Sequence, residues 1–186
     1  MSTFRAIVIE KNDTSQIVGL KDFSEADLMD GDVTFRVTHS TVNYKDGLAL
    51  TGKAPVVRRF PMIPGIDGAG VVEASGHPDF RVGDQVILNG WGTGETHLSS
   101  YAEKSRVKGD WLVPLPAGLT PAEAMAIGPA GYTAMPSVLA LEKHGLQPSD
   151  GPVIVTAAPG GAGCVAVALL AQAGWHVLAS PRPADA

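Results

Sequence analysis

The sequence predicts a small β-barrel over residues 1–120, followed by a connecting helix and one βαβ unit over residues 121–186. Two observations lead to this prediction. The first part of the chain contains many short apolar stretches separated by turn residues, which is typical of a compact barrel. Residues 152–179 contain two short apolar runs on either side of an apolar segment of helical length, which is typical of a βαβ unit.

The clearest strand of the predicted barrel lies within residues 31–42. Val33, Phe35 and Val37 alternate with polar residues, so their side chains are expected on one face of a strand. Further strands are predicted at residues 4–10, 16–20, 68–75, 101–107 and 111–114, and a turn followed by a strand is predicted at residues 81–88. The polar residues of the stretch NYKD (43–46) interrupt the apolar pattern, so Asn43 and Asp46 could take part in function or simply hold a loop there.

A helix start marks the end of the barrel. Thr120 is a suitable N-cap, Pro121 suits the first helical position, and Glu123 completes a capping box. The helical pattern continues to Gly145, although Pro136 lies inside it and is expected to cost the helix roughly 3 kcal/mol.

The βαβ unit is predicted to contain a strand at 153–156 that is buried on both faces, a helix at 164–173 ended by Gly174, and a second buried strand at 175–179. The turn after the first strand has the pattern Ala158-x-Gly160-x-x-Gly163, a dinucleotide fingerprint with alanine for its first glycine. Gly160 lets a pyrophosphate approach the backbone, and Gly163 lets the helix lie close to the strand. The alternative is a glycine turn that serves βα packing alone.

Composition excludes several classes of function. The net charge is −5 and no basic run occurs, so nucleic acid is not an expected partner. The single cysteine, Cys164, excludes a disulfide framework, and the five histidines lack metal-binding spacing, so no metal site is predicted. The first residues do not resemble a signal peptide and the apolar helix after Cys164 is too short to span a bilayer, so a soluble cytoplasmic protein without a membrane partner is expected.

Several long motifs, in order, resemble the medium-chain dehydrogenase/reductase superfamily in its zinc-free, quinone-oxidoreductase-like branch, and within it the acrylyl-CoA reductases. The motifs are NYKDGLALTGK (43–53), RRFPMIPGIDGAG (58–70), NGWGTGETH (89–97), YAEKSRVKGDWLVPLPAG (101–118), MAIGPAGYTAM (125–135) and VTAAPGGAG (155–163). This resemblance implies a GroES-like barrel domain, a Rossmann domain that binds NADPH, and a homodimer of the full-length chain. The implied reaction is reduction of acrylyl-CoA to propionyl-CoA; reduction of a quinone or enone is the alternative.

The resemblance also implies site residues. Tyr44 is placed at the nicotinamide end of the cofactor, where a phenol can supply a proton, and Asp67 is placed where it orients the site. The alternatives are a surface tyrosine of the barrel and a turn cap. Zinc-bearing relatives have cysteine and His-Glu where this chain has Asn43-Tyr44 and Ile66-Asp67.

Cofactor contacts are expected from the fingerprint turn and from the end of the second strand. The turn contributes Pro159, Gly160, Gly161, Ala162 and Gly163. No acidic residue ends the second strand, and Ser180 and Arg182 follow it, so a 2′-phosphate and therefore NADPH is preferred over NADH. An ordinary polar loop is the alternative.

A basic group contains Lys53, Arg58 and Arg59, and it could meet the phosphates of a CoA ester or form a solvated loop cluster.

Some features predict impaired activity for the chain as written. Pro159 has no N–H to offer a pyrophosphate, Pro129 replaces the family's threonine, and Leu98-Ser99-Ser100 replaces a Trp-Gly-Gly run. A sheet of two strands and one helix also leaves apolar side chains and a strand edge uncovered. We therefore expect a fragment or decayed copy that binds NADPH weakly and self-associates; an inactive binding scaffold is the non-enzymatic alternative.

Overall fold

The computed structural model describes residues 2–13 and 15–181. The chain divides into two compact units, residues 1–126 and residues 127–186. The first unit contains antiparallel strands and one short helix, and the second contains a parallel strand pair with its helices. Each unit is described separately below.

Seven strands build the first unit. β1 (Thr3–Lys11) and β2 (Gln16–Ser24) form an antiparallel hairpin. A five-stranded antiparallel sheet has the order β6-β3-β4-β5-β7. Its strands are β3 (Val33–His39), β4 (Asp67–Ser75), β5 (Gln85–Asn89), β6 (Lys104–Val107) and β7 (Leu112–Pro114). Single bridges from Ala6 to Ala102 and from Ile9 to Met62 connect the hairpin to the chain around the sheet.

Two apolar clusters form the core of this unit. One lies beneath the hairpin and is centred on Ile9, Met62 and Ile63, all fully buried. The other lies on the sheet and includes Val33, Phe35 and Leu88. The predicted alternation of β3 is therefore confirmed. Val33 and Phe35 are buried, whereas Arg36, which lies between Phe35 and Val37, is exposed.

The segment predicted as a loop at residues 43–46 is instead the start of a helix, α1 (Tyr44–Thr51). The Asp46 carboxylate accepts a hydrogen bond from the Asn43 backbone N–H at 2.8 Å, as in a capping box. The polar residues that interrupt the apolar pattern are thus helix-capping residues. Glycine is a poor helix former, so Gly47 inside α1 weakens the helical pattern of the sequence.

The strand predicted at 101–107 begins only at Lys104, because the backbone before it is bonded to β1: the Ile7 N–H donates to the Tyr101 carbonyl at 2.8 Å and the Glu103 N–H donates to the Arg5 carbonyl at 3.0 Å.

The helix after the barrel, α2 (Pro121–Lys143), begins with the predicted capping box. The Thr120 N–H donates to the Glu123 carboxylate at 2.8 Å, and the Glu123 N–H donates to Thr120 Oγ1 at 3.2 Å. The helix is broken at Gly128, which has φ 47° and ψ −157°, and Pro129 starts its second part. Pro136 lies within that second part without ending it.

Of the helices in the described residues, only α2 is long and apolar enough to cross a membrane by length and composition. Its break at Gly128 leaves two shorter helical parts, and a spanning helix requires about 20 continuous residues.

The second unit contains β8 (Val153–Val155), α3 (Gly161–Gln172) and β9 (Val177–Ala179), with the two strands parallel. The predicted βαβ unit is therefore present. Val138, Leu170 and Trp175 form its small core. The predicted burial of both strands on two faces is wrong, since the Ile154 side chain is 65% exposed. One helix cannot cover both faces of a strand pair.

The helix α3 begins at Gly161, three residues before its predicted start at Cys164. Ala173 is its C-cap, and Gly174 follows with a φ of 87°.

Candidate functional site

Tyr44 is the first residue of α1 and its side chain is 84% exposed. Exposure of this degree leaves the phenol available to a bound molecule. The neighbouring residues on either side are anchored: the Asn43 side chain donates to the Asp67 carboxylate at 3.2 Å, and the Lys45 ammonium pairs with Glu95 at 2.5 Å. The backbone that carries Tyr44 is therefore fixed although its side chain is free.

Asp67, the first residue of β4, is fully buried and lies at the centre of a hydrogen-bond network. Its carboxylate accepts from Ser40 Oγ at 3.0 Å, from the Thr41 N–H at 2.8 Å, from Thr41 Oγ1, and from Asn43 Nδ2 at 3.2 Å. Donors surround both oxygens, so the hydrogen-bonding capacity of the buried carboxylate is satisfied. Asp67 thereby fixes the chain between β3 and α1, including Asn43, the residue before Tyr44.

A second buried carboxylate lies beside this network. Asp46 is 1% exposed, and its burial raises its pKa, an effect that hydrogen bonds from Asn43 oppose and the charge of Asp67 reinforces. Burial, followed by the nearby Asp46 carboxylate, also raises the pKa of the Tyr101 phenol. The Tyr101 hydroxyl therefore keeps its proton and serves as a donor to the Thr41 carbonyl at 2.8 Å.

The group Ser40, Thr41, Asp46 and Tyr101 was not predicted as part of the site. The pairing of β3 with β4, in which His39 lies opposite Ala69, is what brings these residues together. That register places the polar run after β3 next to Asp67. Sequence alone does not provide the register.

The segment Leu98-Ser99-Ser100 lies near the same part of the first unit. Ser99 and Ser100 are buried, and neither hydroxyl has a hydrogen-bond partner in the part of the chain that the structure describes. A Cβ atom on Gly68 would lie 2.4 Å from Ser100 Oγ, so glycine is required next to Asp67 for this serine to fit.

The glycine turn lies in the second unit, between β8 and α3. A Cβ atom on Gly163 would lie 2.5 Å from the Ala157 carbonyl oxygen and 2.8 Å from Ala158 Cα, so the helix contacts the turn at this glycine. The Cys164 N–H donates to Gly160 at 2.9 Å and begins the helical hydrogen bonding. The amides of Gly161, Ala162 and Gly163 precede it at the positive end of α3, where helical amides lack intrahelical partners.

This turn has the features of a pyrophosphate site: free backbone donors, a helix N-terminus, and no side chain at the closest contact. Pro159 lies just before these donors and is exposed. Ala157, rather than the fingerprint position Ala158, adopts a left-handed conformation with φ 51°.

Ser180 is placed next to the turn by backbone hydrogen bonds. The Ala158 N–H donates to the Ser180 carbonyl at 3.1 Å, and the Ser180 N–H donates to Val155 at 2.9 Å. Arg182, the other residue predicted for a 2′-phosphate, lies outside the described residues.

The predicted basic group is not one cluster. Lys53 lines a groove with Lys11, whereas Arg59 lines a different cavity together with Asp27 and Leu98. Within the described residues, no three His, Cys, Asp or Glu side chains are placed to share a metal ion.

Comparison with known proteins gave consistent findings. Residues 29–117 match the model of the alcohol dehydrogenase GroES-like domain. The chain is 50% identical over 187 residues to the acrylyl-CoA reductase AcuI of Ruegeria pomeroyi, covering 98% of this chain and 57% of that protein. It is 45% identical over 181 residues to the putative quinone oxidoreductase YhfP of Bacillus subtilis, covering 97% and 55%.

Among solved structures, the chain is similar to the yhdH oxidoreductase of Salmonella enterica in complex with NADP. The TM-score is 0.91 at 52% identity, and the match covers 94% of this chain and 54% of that one. The chain thus spans about half the length of the relatives it matches.

Proposed function

We propose that this chain, whose residues 29–117 belong to the alcohol dehydrogenase GroES-like domain family, carries the substrate barrel and the beginning of the cofactor domain of an NADPH-dependent reductase. The comparisons confirm the superfamily and the fold that the sequence motifs indicated, a GroES-like barrel followed by the start of a Rossmann domain. The assignment of residues 1–120 to the substrate and residues 121–186 to NADPH is part of this proposal.

The proposed reaction is reduction of the C=C bond of an α,β-unsaturated acyl-CoA, acrylyl-CoA to propionyl-CoA. The 50% identity to a protein named acrylyl-CoA reductase supports this substrate class. A hydride adds to the β-carbon and a proton adds to the α-carbon, so that the two electrons of the hydride saturate the double bond. NADPH supplies the hydride when bound.

The observation that carries the cofactor assignment is the start of α3 at Gly161 directly after Gly160, which places unpartnered helical amides next to a backbone without a side chain. The amides of Gly161, Ala162 and Gly163 would donate to the phosphates, and Gly160 would allow their approach. Ser180 adjoins the turn and would contact the ribose end together with Arg182. The relative that was solved with NADP supports this cofactor.

Tyr44 is the proposed proton donor to the α-carbon, since its phenol is exposed at the start of α1. Asp67 is a positioning residue that acts through Asn43. For the full-length protein we propose a cytoplasmic homodimer acting on small molecules, by analogy with the family.

Reduction of a quinone or enone by the same residues is the second candidate. It is favoured by the 45% identity to a putative quinone oxidoreductase. Such a substrate has no nucleotide end, so it would need no binding surface remote from Tyr44.

The test is a titration of the chain with NADPH and with NADH, using Gly163→Ala and the exposed helix position Ala168→Ser as a control. A methyl group at 163 must displace the start of α3, so we expect NADPH affinity to fall roughly tenfold in that variant alone. Turnover of acrylyl-CoA against a simple quinone then distinguishes the two substrate classes. Equal NADPH affinity in both variants would show that the turn is not part of the cofactor site. Circular dichroism checks that both variants fold.

A further inference from the structure

A groove on the first unit lies where the turn between β1 and β2 meets the chain that follows α1. Its volume is about 590 Å³. The lining side chains with polar or aromatic character are Lys11, Asp13, Ser15, Gln16, Lys53 and Phe60. A second cavity of about 330 Å³ shares Lys11 and Phe60 with it, which extends the same surface along β1.

The groove carries unpaired positive charge. Two ammonium groups, those of Lys11 and Lys53, line it against one carboxylate, that of Asp13. Neither lysine forms an ion pair in residues 2–13 and 15–181, unlike Lys21, Lys45 and Lys104. Lys11 lies 5.9 Å from the centre of the exposed Phe60 ring. The groove therefore suits an anion attached to an aromatic or apolar group.

The wall between the groove and α1 is held by Gln16. Its side-chain amide donates to the carbonyls of Ala49 at 2.6 Å and Leu50 at 3.2 Å. These are carbonyls near the end of α1, which otherwise lack helical partners. Gly52 follows in a left-handed conformation, with φ 66°, and directs the chain toward Lys53.

The distance of the groove from Tyr44 is set by α1. Tyr44 is the first residue of the helix and Lys53 follows its C-cap, Gly52. Eight helical residues span about 12 Å at 1.5 Å per residue. An anionic group in the groove would thus be about one short helix away from the proposed reacting centre.

We propose that this groove binds the 3′-phosphorylated ADP end of a coenzyme A thioester. The inference rests on the proposed function and names the part of the barrel that recognises its substrate class. In a CoA thioester the reacting acyl group and the phosphorylated adenosine are separated by the extended pantetheine arm. The phosphates lie against Lys11 and Lys53, the adenine contacts Phe60, and the arm follows α1 toward Tyr44.

The experiment measures dissociation constants of the chain for CoA, 3′-dephospho-CoA and NADPH by calorimetry. The variants are Lys11→Ala, Lys53→Ala and their combination, with Lys108→Ala as an exposed lysine of the same unit outside the groove. Loss of charge-assisted phosphate contacts should weaken CoA about tenfold or more in the double variant. We expect a smaller loss for 3′-dephospho-CoA and no change for NADPH or for Lys108→Ala. All three lysines are exposed, so folding is expected to be unaffected.

Unchanged CoA affinity in the double variant, equal loss in Lys108→Ala, or absence of CoA binding to the unmodified chain would overturn the proposal. An equal loss for NADPH would overturn it as well, because the groove would then recognise phosphoadenosine of the cofactor.

The outcome is separable from that of the proposed function. In the full-length protein, CoA binding that depends on both lysines, without reductase activity, supports the groove and refutes the reductase. Acrylyl-CoA reduction with an unaltered KM in the double variant supports the reductase and refutes the groove.

Discussion

Replacement of Asp67 by asparagine tests the central hydrogen-bond network of the first unit. The carboxylate is fully buried and accepts from four donors. An asparagine keeps one oxygen, which can still accept from Ser40 Oγ and the Thr41 N–H. Its NH₂ group then replaces the oxygen that accepts from Thr41 Oγ1 and Asn43 Nδ2.

The expected cost follows from these contacts. A hydrogen bond to a charged group contributes about 1.5–3 kcal/mol, and a buried donor left unpaired costs about 1–3 kcal/mol. Thr41 Oγ1 can rotate and accept from the new NH₂ group, and Asn43 Nδ2 keeps its hydrogen bond to Thr41 Oγ1 at 3.1 Å, but both bonds to the charged oxygen are lost. We therefore expect the free energy of unfolding to fall by about 3 kcal/mol, and the melting temperature of the unit by about 10 °C.

The assay is urea denaturation followed by tryptophan fluorescence in a Trp175→Phe background, so that Trp91 and Trp111 report on the first unit. Asp84→Asn is the matched control: Asp84 is exposed and accepts one hydrogen bond, from the Arg81 N–H at 2.7 Å, which asparagine can also accept. We expect that control to stay within about 0.5 kcal/mol of the parent. A similarly small effect for Asp67→Asn would show that the network does not stabilise the fold.

Two further predictions concern residues of α1, Asp46 and Tyr44. Burial raises the pKa of Asp46 above its usual value, so the folded chain holds that proton to higher pH than the unfolded chain, and the free energy of unfolding falls as pH rises from the unfolded pKa through the raised folded pKa. Asp46→Asn should flatten the stability curve in this window in urea titrations at several pH values, and an unchanged slope would contradict the burial argument. In a full-length homologous protein, Tyr44→Phe should lower kcat for the unsaturated thioester more than it lowers NADPH affinity, because only the hydroxyl is lost. Equal kcat in steady-state assays would exclude Tyr44 as the proton donor.

Local patterns in the sequence were sufficient to predict several elements of the fold. The alternation of Val33 and Phe35 determined the buried face of β3, and the Thr120 capping box determined the start of α2. Gly163 was assigned to close packing between helix and turn, and a Cβ atom there would indeed meet the Ala157 carbonyl. In each case the cause lies within a few residues along the chain, so the pattern carries the information.

The helix α1 was missed because its start resembles a polar loop. The same residues, Asn43 and Asp46, are compatible with a turn or with a helix cap, and Gly47 weakens the helical pattern. The cap is favoured in the folded chain, where Asn43 also donates to Asp67.

The motifs of the chain, by themselves, predicted the fold class and the glycine turn between β8 and α3. Only the tertiary structure decided that Asp67 serves as an acceptor for the segment after β3, and that Lys53 shares a groove with Lys11 rather than with Arg59. These contacts join residues that are distant in sequence, and they depend on strand register and on the direction in which a turn leaves a helix. Neither quantity is encoded by local spacing, because each is set by the packing of the whole unit.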